Sequence, residues 1–381
     1  MATMKNTVFD SEGRGLSLYI HIPFCHNRCS FCSFVVSIGK QNYIDSYLEG
    51  LEKEAQQYKG VRFETIYIGG GTPTFMNAVQ LKRLAALVKK DFKFNQKSEF
   101  TIEANPENIN LEKARLLCDL GVNRVSLGVQ SLNDKYLRFL GRPHNSQGAV
   151  DAYHNLRKAG FSNISLDLMF SFPHQTTAEI EKDVEGLTSL ASEHLSLYTL
   201  TIEEGSKFHK LNVELDNDQA RSEQYMGVVE LLEAKGFLQY EISNFAKPGK
   251  ESRHNCVYWQ GGEYIGLGIG AHSHLKGRRF WNTPNLTQYI SKMKEDASPI
   301  LESEQLDLSA RFMETFLFGL RMNRGVDVSA LERRFGHALS AEKRKLIDAF
   351  IAAGFLIRNG NNLQTTLKGR LVLDEISTRL I

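Results

Sequence analysis

Cys25, Cys29 and Cys32 stand in the order C-x-x-x-C-x-x-C, directly after a strand-like apolar run at residues 16–22. Three thiolates this close can each hold one iron of a cubane 4Fe-4S cluster, leaving the fourth iron open to a small molecule. The same residues also suit a zinc site of three Cys and one His, with His21 or His26 as fourth ligand, or a loop of reduced thiols. An open iron points to chemistry, a closed zinc site to structure.

Other segments offer polar chemistry. The loop G-G-G-T-P-T at 69–74 lets a ligand approach the backbone, and it lacks the Lys of a phosphate-binding loop. Glu103, Gln130 and Arg142 fall at or after strand-like runs, and Asp167 falls inside one. His254, Asn255, Cys256, Val257, Tyr258 and Trp259 put an imidazole, a thiol and two broad aromatic faces in one segment. That segment reads equally as a loop whose Tyr and Trp pin an edge while His254 caps a backbone group. The run G-L-G-I-G-A-H-S at 266–273 imitates a dinucleotide fingerprint, but its third spacing is wrong and no βαβ unit surrounds it. Cys118, in the apolar stretch L-L-C-D-L-G, reads as core packing.

The elements that must position these groups alternate. Strand-like runs at 16–22, 65–68, 99–104, 124–129, 163–170 and 194–200 are separated by amphipathic patterns at 43–58, 79–90, 111–121, 149–160 and 178–190. Such alternation predicts βαβ units and a parallel sheet. Six units are too few for a closed eight-stranded barrel, so the sheet is doubly wound or a part-barrel. The polar residues gather at strand ends, where parallel α/β folds build their sites; Asp167 fits less well. Past about residue 240 the alternation gives way to a loop-rich stretch. Residues 301–381 then read as three helices, a hairpin turning at Asn359-Gly360 and a final helix, a winged-helix-like unit. Its helix K-R-K-L-I-D-A-F-I-A-A-G-F leaves few basic residues to read a groove, which favours a lid or docking role over DNA binding.

Composition narrows the class. The chain has 381 residues, 42% of them hydrophobic, enough for a large domain and a small one. A net charge of +2 implies no polyanion-binding surface, so nucleic acid is not an expected partner. No apolar run reaches the ~18 residues that cross a bilayer, and the first residues lack the apolar core of a signal peptide. Five Cys, three of them clustered, suit a reducing compartment, and the expected location is the cytoplasm.

The segment Y-I-H-I-P-F-C-H-N-R-C-S-F-C-S-F at 19–34 resembles the radical S-adenosylmethionine (SAM) superfamily, and within it the oxygen-independent coproporphyrinogen III oxidase family with its heme-chaperone branch, HemW. The resemblance implies an α/β fold: a tail at 1–15, a (β/α)6 part-barrel over 16–240, a connecting segment over 241–300, and a small α+β winged-helix-like domain over 301–381. It implies a 4Fe-4S cluster on Cys25, Cys29 and Cys32, with SAM on the open iron. Gly70, Gly71 and Thr72 then hold the methionine amino group, and Glu103, Gln130, Arg142 and Asp167 face the SAM carboxylate, ribose and sulfonium. Tyr19 and Phe31, which by structure alone would be core aromatics, cover the cofactor.

The H-N-x-x-Y-W string resembles a signature of the chaperone branch. It implies heme as cargo near His254, Tyr258 and Trp259, and a heme-accepting respiratory protein as partner, reached by peripheral membrane association. Two departures separate the chain from the decarboxylating relatives: Phe34 stands where they carry a further Cys, and 18 residues precede Tyr19 where they have a longer extension. Radical decarboxylation of coproporphyrinogen III is the alternative reading, and no catalytic residue is assigned.

Overall fold

The computed structural model describes residues 15–381, so residues 1–14 of the expected tail lie outside the described residues. Strand β1 (Leu16–Ile22) is buried on both faces save Tyr19, as a parallel strand covered on both sides must be. A short parallel pair, β2 (Phe24–Cys25) and β3 (Ser37–Ile38), brackets the cysteine loop. Strands β4 (Phe63–Gly70), β5 (Glu99–Ala104), β6 (Arg124–Gln130), β7 (Ile164–Phe170) and β8 (His194–Thr199) follow, each parallel to the one before. Their spatial order runs one way from β1 to β8, without the reversal of a doubly wound sheet. Right-handed crossovers of unchanging direction put the helices on one face, and the sheet is a part-barrel.

The intervening helices start where side chains satisfy their free N–H groups. Asn77 and Gln80 form a capping box for the helix Ala78–Asp91, and Thr176 and Glu179 do so for Thr177–Ser189. Cys118 does not pack in the core. On the helix Leu111–Asp119 the buried residues are Ala114 and Leu117, and one further residue, about 100° of turn, carries Cys118 to the exposed face.

The stretch 241–300 is not a loop-rich connection. After β9 (Leu238–Glu241), β10 (Asn244–Ala246) pairs antiparallel with both β8 and β9, leaving β9 outermost; β11 (Tyr264–Leu267) returns to pair parallel with β1; and β12 (His272–Leu275), β13 (Arg278–Asn282) and β14 (Ile300–Gln305) extend that side. The result is one 12-stranded sheet, and the small domain starts after Gln305. Strands this short, interrupted by Gly266, Gly268 and Gly270, show no alternation long enough to be read. Glu54 fastens the return: its carboxylate accepts from Gly268 N at 2.8 Å, Asn282 Nδ2 at 2.6 Å and Tyr289 OH at 2.6 Å. Burial still pushes its pKa up to about 7.

Beyond Gln305, the helices Leu308–Gly319, Val328–Phe335 and Ala341–Ala352 pack with a three-stranded sheet of β15 (Val326–Asp327), β16 (Leu356–Asn359) and β17 (Asn362–Thr365) around Phe312, Phe316, Phe350 and Leu363. Asn359 pairs with Asn362, so the hairpin turns on Gly360-Asn361, with Gly360 at φ 59°. Two short helices, Leu367–Leu371 and Leu373–Leu380, replace the single expected one. Among the described residues no helix is long and apolar enough to cross a membrane.

Candidate functional site

A cavity of ≈ 820 Å³ opens where β4 to β8 end, and residues of the small domain close part of it. Its size falls within the ~300–1,000 Å³ of small-molecule sites. Its walls bring together Cys25, Cys29 and Cys32, Phe31 beside them, Gly70 to Thr72, and Glu103, Gln130, Arg142 and Asp167. Tyr19, His254, Tyr258 and Trp259 are not among the lining residues.

The cysteine loop is pinned by its backbone. Ser30 N donates to Leu140 O at 2.9 Å, Phe208 N donates to Ser30 O at 2.9 Å, and Asn27 Nδ2 donates to Gly141 O at 2.8 Å. Burial pushes the Cys25 thiol up to about 11 and raises Cys32, with the neighbouring cysteines adding to both. Cys25 and Cys32 therefore need a cationic centre to hold them deprotonated, as a metal cluster does.

Among the described residues no three His, Cys, Asp or Glu side chains converge on a point where a single ion could sit. A cubane does not ask for convergence, because its three thiolates bind three different irons. His21 cannot complete a zinc site as placed: its Nδ1 accepts from Tyr19 OH at 3.0 Å and its Nε2 donates to Val35 O at 2.8 Å. The residues fit the cluster better than they fit zinc.

The glycine loop is an extension of the sheet. Gly71 N donates to Ile22 O at 2.8 Å, Thr72 N to Phe24 O at 2.9 Å, and Gly70 N to Glu103 Oε2 at 3.0 Å. With its donors engaged, the loop has only acceptors to offer, the right sign for an ammonium group. Gly70 sits at φ 115°, and a Cβ there would come 2.6 Å from the His21 ring; one on Gly71 would meet Cys25 Sγ at 2.9 Å.

From this loop a ring of polar contacts runs back to the cysteines. Cys25 Sγ lies 3.4 Å from Thr72 Oγ1, which accepts from Asn105 Nδ2 at 3.0 Å; Asn105 Oδ1 accepts from Arg142 Nη2 at 2.7 Å; and Arg142 Nη1 donates to Cys29 Sγ at 3.3 Å. Asn105 was not among the expected residues, although its place at the end of β5, two residues past Glu103, is the available signal. Asp167 is mid-strand, yet it faces the cavity and accepts from Ser126 Oγ at 3.0 Å. Burial pushes Glu103 up to about 7 and Asp167 up to about 6. Gln130 ends β6 at φ 69°, a conformation a non-glycine residue adopts under local constraint.

Tyr19 lies a layer below, its ring 6.2 Å from Tyr67, whose hydroxyl donates to Glu103 at 2.8 Å. Beneath them the H-N-x-x-Y-W segment forms the helix Arg253–Trp259, set against the amino ends of β1, β4 and β5. Glu99 accepts from Arg253 N and His254 N, both at 3.0 Å, serving the free helix N-terminus. Thr65 Oγ1 donates to Ser17 at 2.7 Å, so the 2.8 Å contact from His254 Nδ1 is a donation from the ring, and Nε2 accepts from Tyr258 OH at 2.8 Å. His254 is 1% exposed, and burial, with the charge of Arg124, pushes its pKa down to about 3. Both nitrogens of the expected heme ligand are engaged in hydrogen bonds within the protein. Tyr258 packs on Tyr264 and Trp259 on the small domain, where the Arg321 guanidinium stands 4.4 Å from its ring centroid.

Residues 19–187 match the family model of the radical SAM superfamily, and residues 306–372 match that of the HemN C-terminal domain. The chain is 35% identical to the heme chaperone HemW of Bacillus subtilis over 94% of this chain and 97% of that one. It is 34% identical to the heme chaperone HemW of Lactococcus lactis over 93% and 94%. Coproporphyrinogen III oxidase (HemN) from Escherichia coli, a radical SAM enzyme of solved structure, superposes with a TM-score of 0.84 at 25% identity, over 96% of this chain and 89% of that one. The chain belongs to the radical SAM superfamily and, within it, to the HemW family.

Proposed function

We propose that the protein is a heme chaperone that holds a 4Fe-4S cluster on Cys25, Cys29 and Cys32, binds SAM beside it, and carries heme for delivery to a respiratory hemoprotein. The observation that carries this reading is the single cavity in which the three cysteines, the glycine loop and the small domain meet, taken with full-length likeness to heme chaperones. A reduced 4Fe-4S cluster, when bound, supplies an electron to SAM. Around it the protein positions and shields. The carbonyl oxygens of Gly70 to Thr72 take the methionine ammonium, the Arg142 fork takes the carboxylate, and Glu103 and Asp167 accept from the ribose hydroxyls. Heme is placed in the same cavity rather than at His254, whose nitrogens are engaged. We place the protein in the cytoplasm, meeting a membrane-bound acceptor from that side.

The likeness to HemN supports a second reading, radical decarboxylation of coproporphyrinogen III. Phe34, 65% exposed at the cavity wall, stands against it, since it offers no thiol there. Anaerobically reconstituted protein given SAM, dithionite and coproporphyrinogen III, with a parallel heme titration, decides. Tight heme binding without protoporphyrinogen is expected; protoporphyrinogen formed over many turnovers overturns the chaperone reading.

A further inference from the structure

The small domain does more than close the cavity: it contributes two arginines to the wall, Arg321 just past the helix Leu308–Gly319 and Arg370 in the helix Leu367–Leu371. Neither is committed to a carboxylate partner at hydrogen-bond distance. Arg370 Nη1 donates to the neutral amide of Gln239, and no carboxylate lies within 4 Å of it among the described residues. The nearest acid to Arg321 is Glu241, with Nη2 3.9 Å from Oε2. In both arginines Nε is buried and has no hydrogen-bond partner among the described residues. Both guanidinium groups are partly buried, Arg321 with Glu241 as a loose ion-pair partner, and an anion brought against them offsets the cost of that partial burial.

Their positions are also fixed. Trp259 presents its ring to Arg321 at 4.4 Å, a cation–π contact that orients the guanidinium. Gln239, which holds Arg370, is itself tied by Nε2 to Tyr225 OH at 2.7 Å and Ile242 O at 2.9 Å. The remaining acids of this wall, Glu203 and Asp374, are exposed at the rim and solvated. Of the other two guanidinium groups on the wall, Arg142 lies against Cys29 and is assigned to the SAM carboxylate, and Arg28 donates to Cys32 O and Phe34 O in the cysteine loop. The cavity therefore has one cationic centre beside the cysteines and another on the small domain.

We propose that Arg321 and Arg370 form a carboxylate clamp that grips the propionate side chains of the tetrapyrrole cargo. A rigid ring carrying carboxylates on one edge matches paired forks on one wall, and the assignment gives the H-N-x-x-Y-W segment an indirect part: Trp259 positions Arg321 without touching the cargo. This inference rests on the heme-chaperone reading. The same chemistry would also suit the carboxylate of a second SAM molecule, and the test separates the two.

Reconstituted protein is titrated anaerobically with heme and, separately, with heme dimethyl ester, which keeps ring and iron but lacks both charges; SAM is titrated in parallel. We expect the ester to bind the unaltered protein about tenfold to a hundredfold more weakly than heme, the loss typical of charge-assisted bonds. Arg370→Gln and Arg321→Gln should weaken heme by a similar factor and leave ester and SAM affinity unchanged. Equal affinity for heme and ester overturns the clamp without needing any variant. Loss of SAM affinity with heme unchanged also overturns it, assigning the clamp to a methionine carboxylate. If neither porphyrin binds the unaltered protein, the chaperone reading itself falls.

Discussion

The two ends of the part-barrel carry comparable collections of reactive side chains and use them in opposite ways. At the carboxyl ends of the strands, the three cysteine thiols, Arg142, Glu103 and Asp167 face an open cavity. At the amino ends, His254, Tyr258, Thr65 and Ser17 bond to one another, and Tyr258 packs on Tyr264. Side-chain type therefore does not distinguish a site from a joint. The difference lies in whether hydrogen-bonding capacity remains for a ligand: Arg142 bridges to a thiol with its Nε unpartnered, whereas both His254 nitrogens are satisfied inside the protein.

Substitutions at each end should separate accordingly. The largest effect is expected from Cys29→Ala, which should abolish the cluster's visible absorbance after anaerobic reconstitution while leaving thermal unfolding of the apoprotein nearly unchanged. A strongly destabilised apoprotein would mean the cysteine loop is also a joint. Next, His254→Ala should lower stability by about 2–4 kcal/mol in urea unfolding, because it opens a cavity and strands Thr65 and Tyr258, while reconstituted protein keeps its cluster spectrum and heme affinity. Loss of heme binding in a folded variant would reopen His254 as a ligand.

The buried titratable groups sharpen the contrast through pH. His254 has a folded pKa of about 3, below its ordinary value near 6.5, so its neutral form supplies stability above about pH 6.5 that is lost as pH falls towards 3. Glu54, at about 7, has a raised carboxyl pKa; its contribution is greatest below about 4.5 and is lost as pH rises to 7. Glu54→Gln should therefore remove a slope approaching about 1.4 kcal/mol per pH unit between these limits, and His254→Gln one of opposite sign between about 3 and 6.5. Unfolding curves across pH 4 to 8 for each variant test both signs. The smallest effect belongs to Cys118→Ser, expected within about 0.5 kcal/mol at an exposed site.

The sequence exposes the barrel wall well where strands are long and covered on both sides. The run at 16–22 coincides with β1 and that at 99–104 with β5. It hides β11 to β14, because β11 and β12 have only four residues each, with Gly266 inside β11, and β13 and β14 are largely polar. In the site, the cysteine spacing is legible by itself, whereas the glycine loop and Arg142 are singled out only through the resemblance to the radical SAM superfamily, since each alone reads as an ordinary loop or solvated residue. Asn105 was not, since Asn before Pro at a strand end reads as an ordinary turn. Arg321 and Arg370 gave no signal at all, because only the folded chain brings the small domain over the strand ends.

An open sheet of twelve strands has two borders, and unpaired backbone at a border invites another chain to add itself. At one border, β9 lies under the small domain: Asn323 N donates to Tyr240 O at 3.0 Å and Glu241 bridges to Met322. At the other, β14 is almost wholly exposed, but it reads I-L-E-S-E-Q, and Glu302 and Glu304 place negative charge along the strand. Glu304 also pairs with Arg279 at 3.4 Å, and charged side chains along an edge strand are a common guard against aggregation. One border is thus masked by the same domain that lines the cavity, so the cavity wall and the guard on that strand edge are one structure.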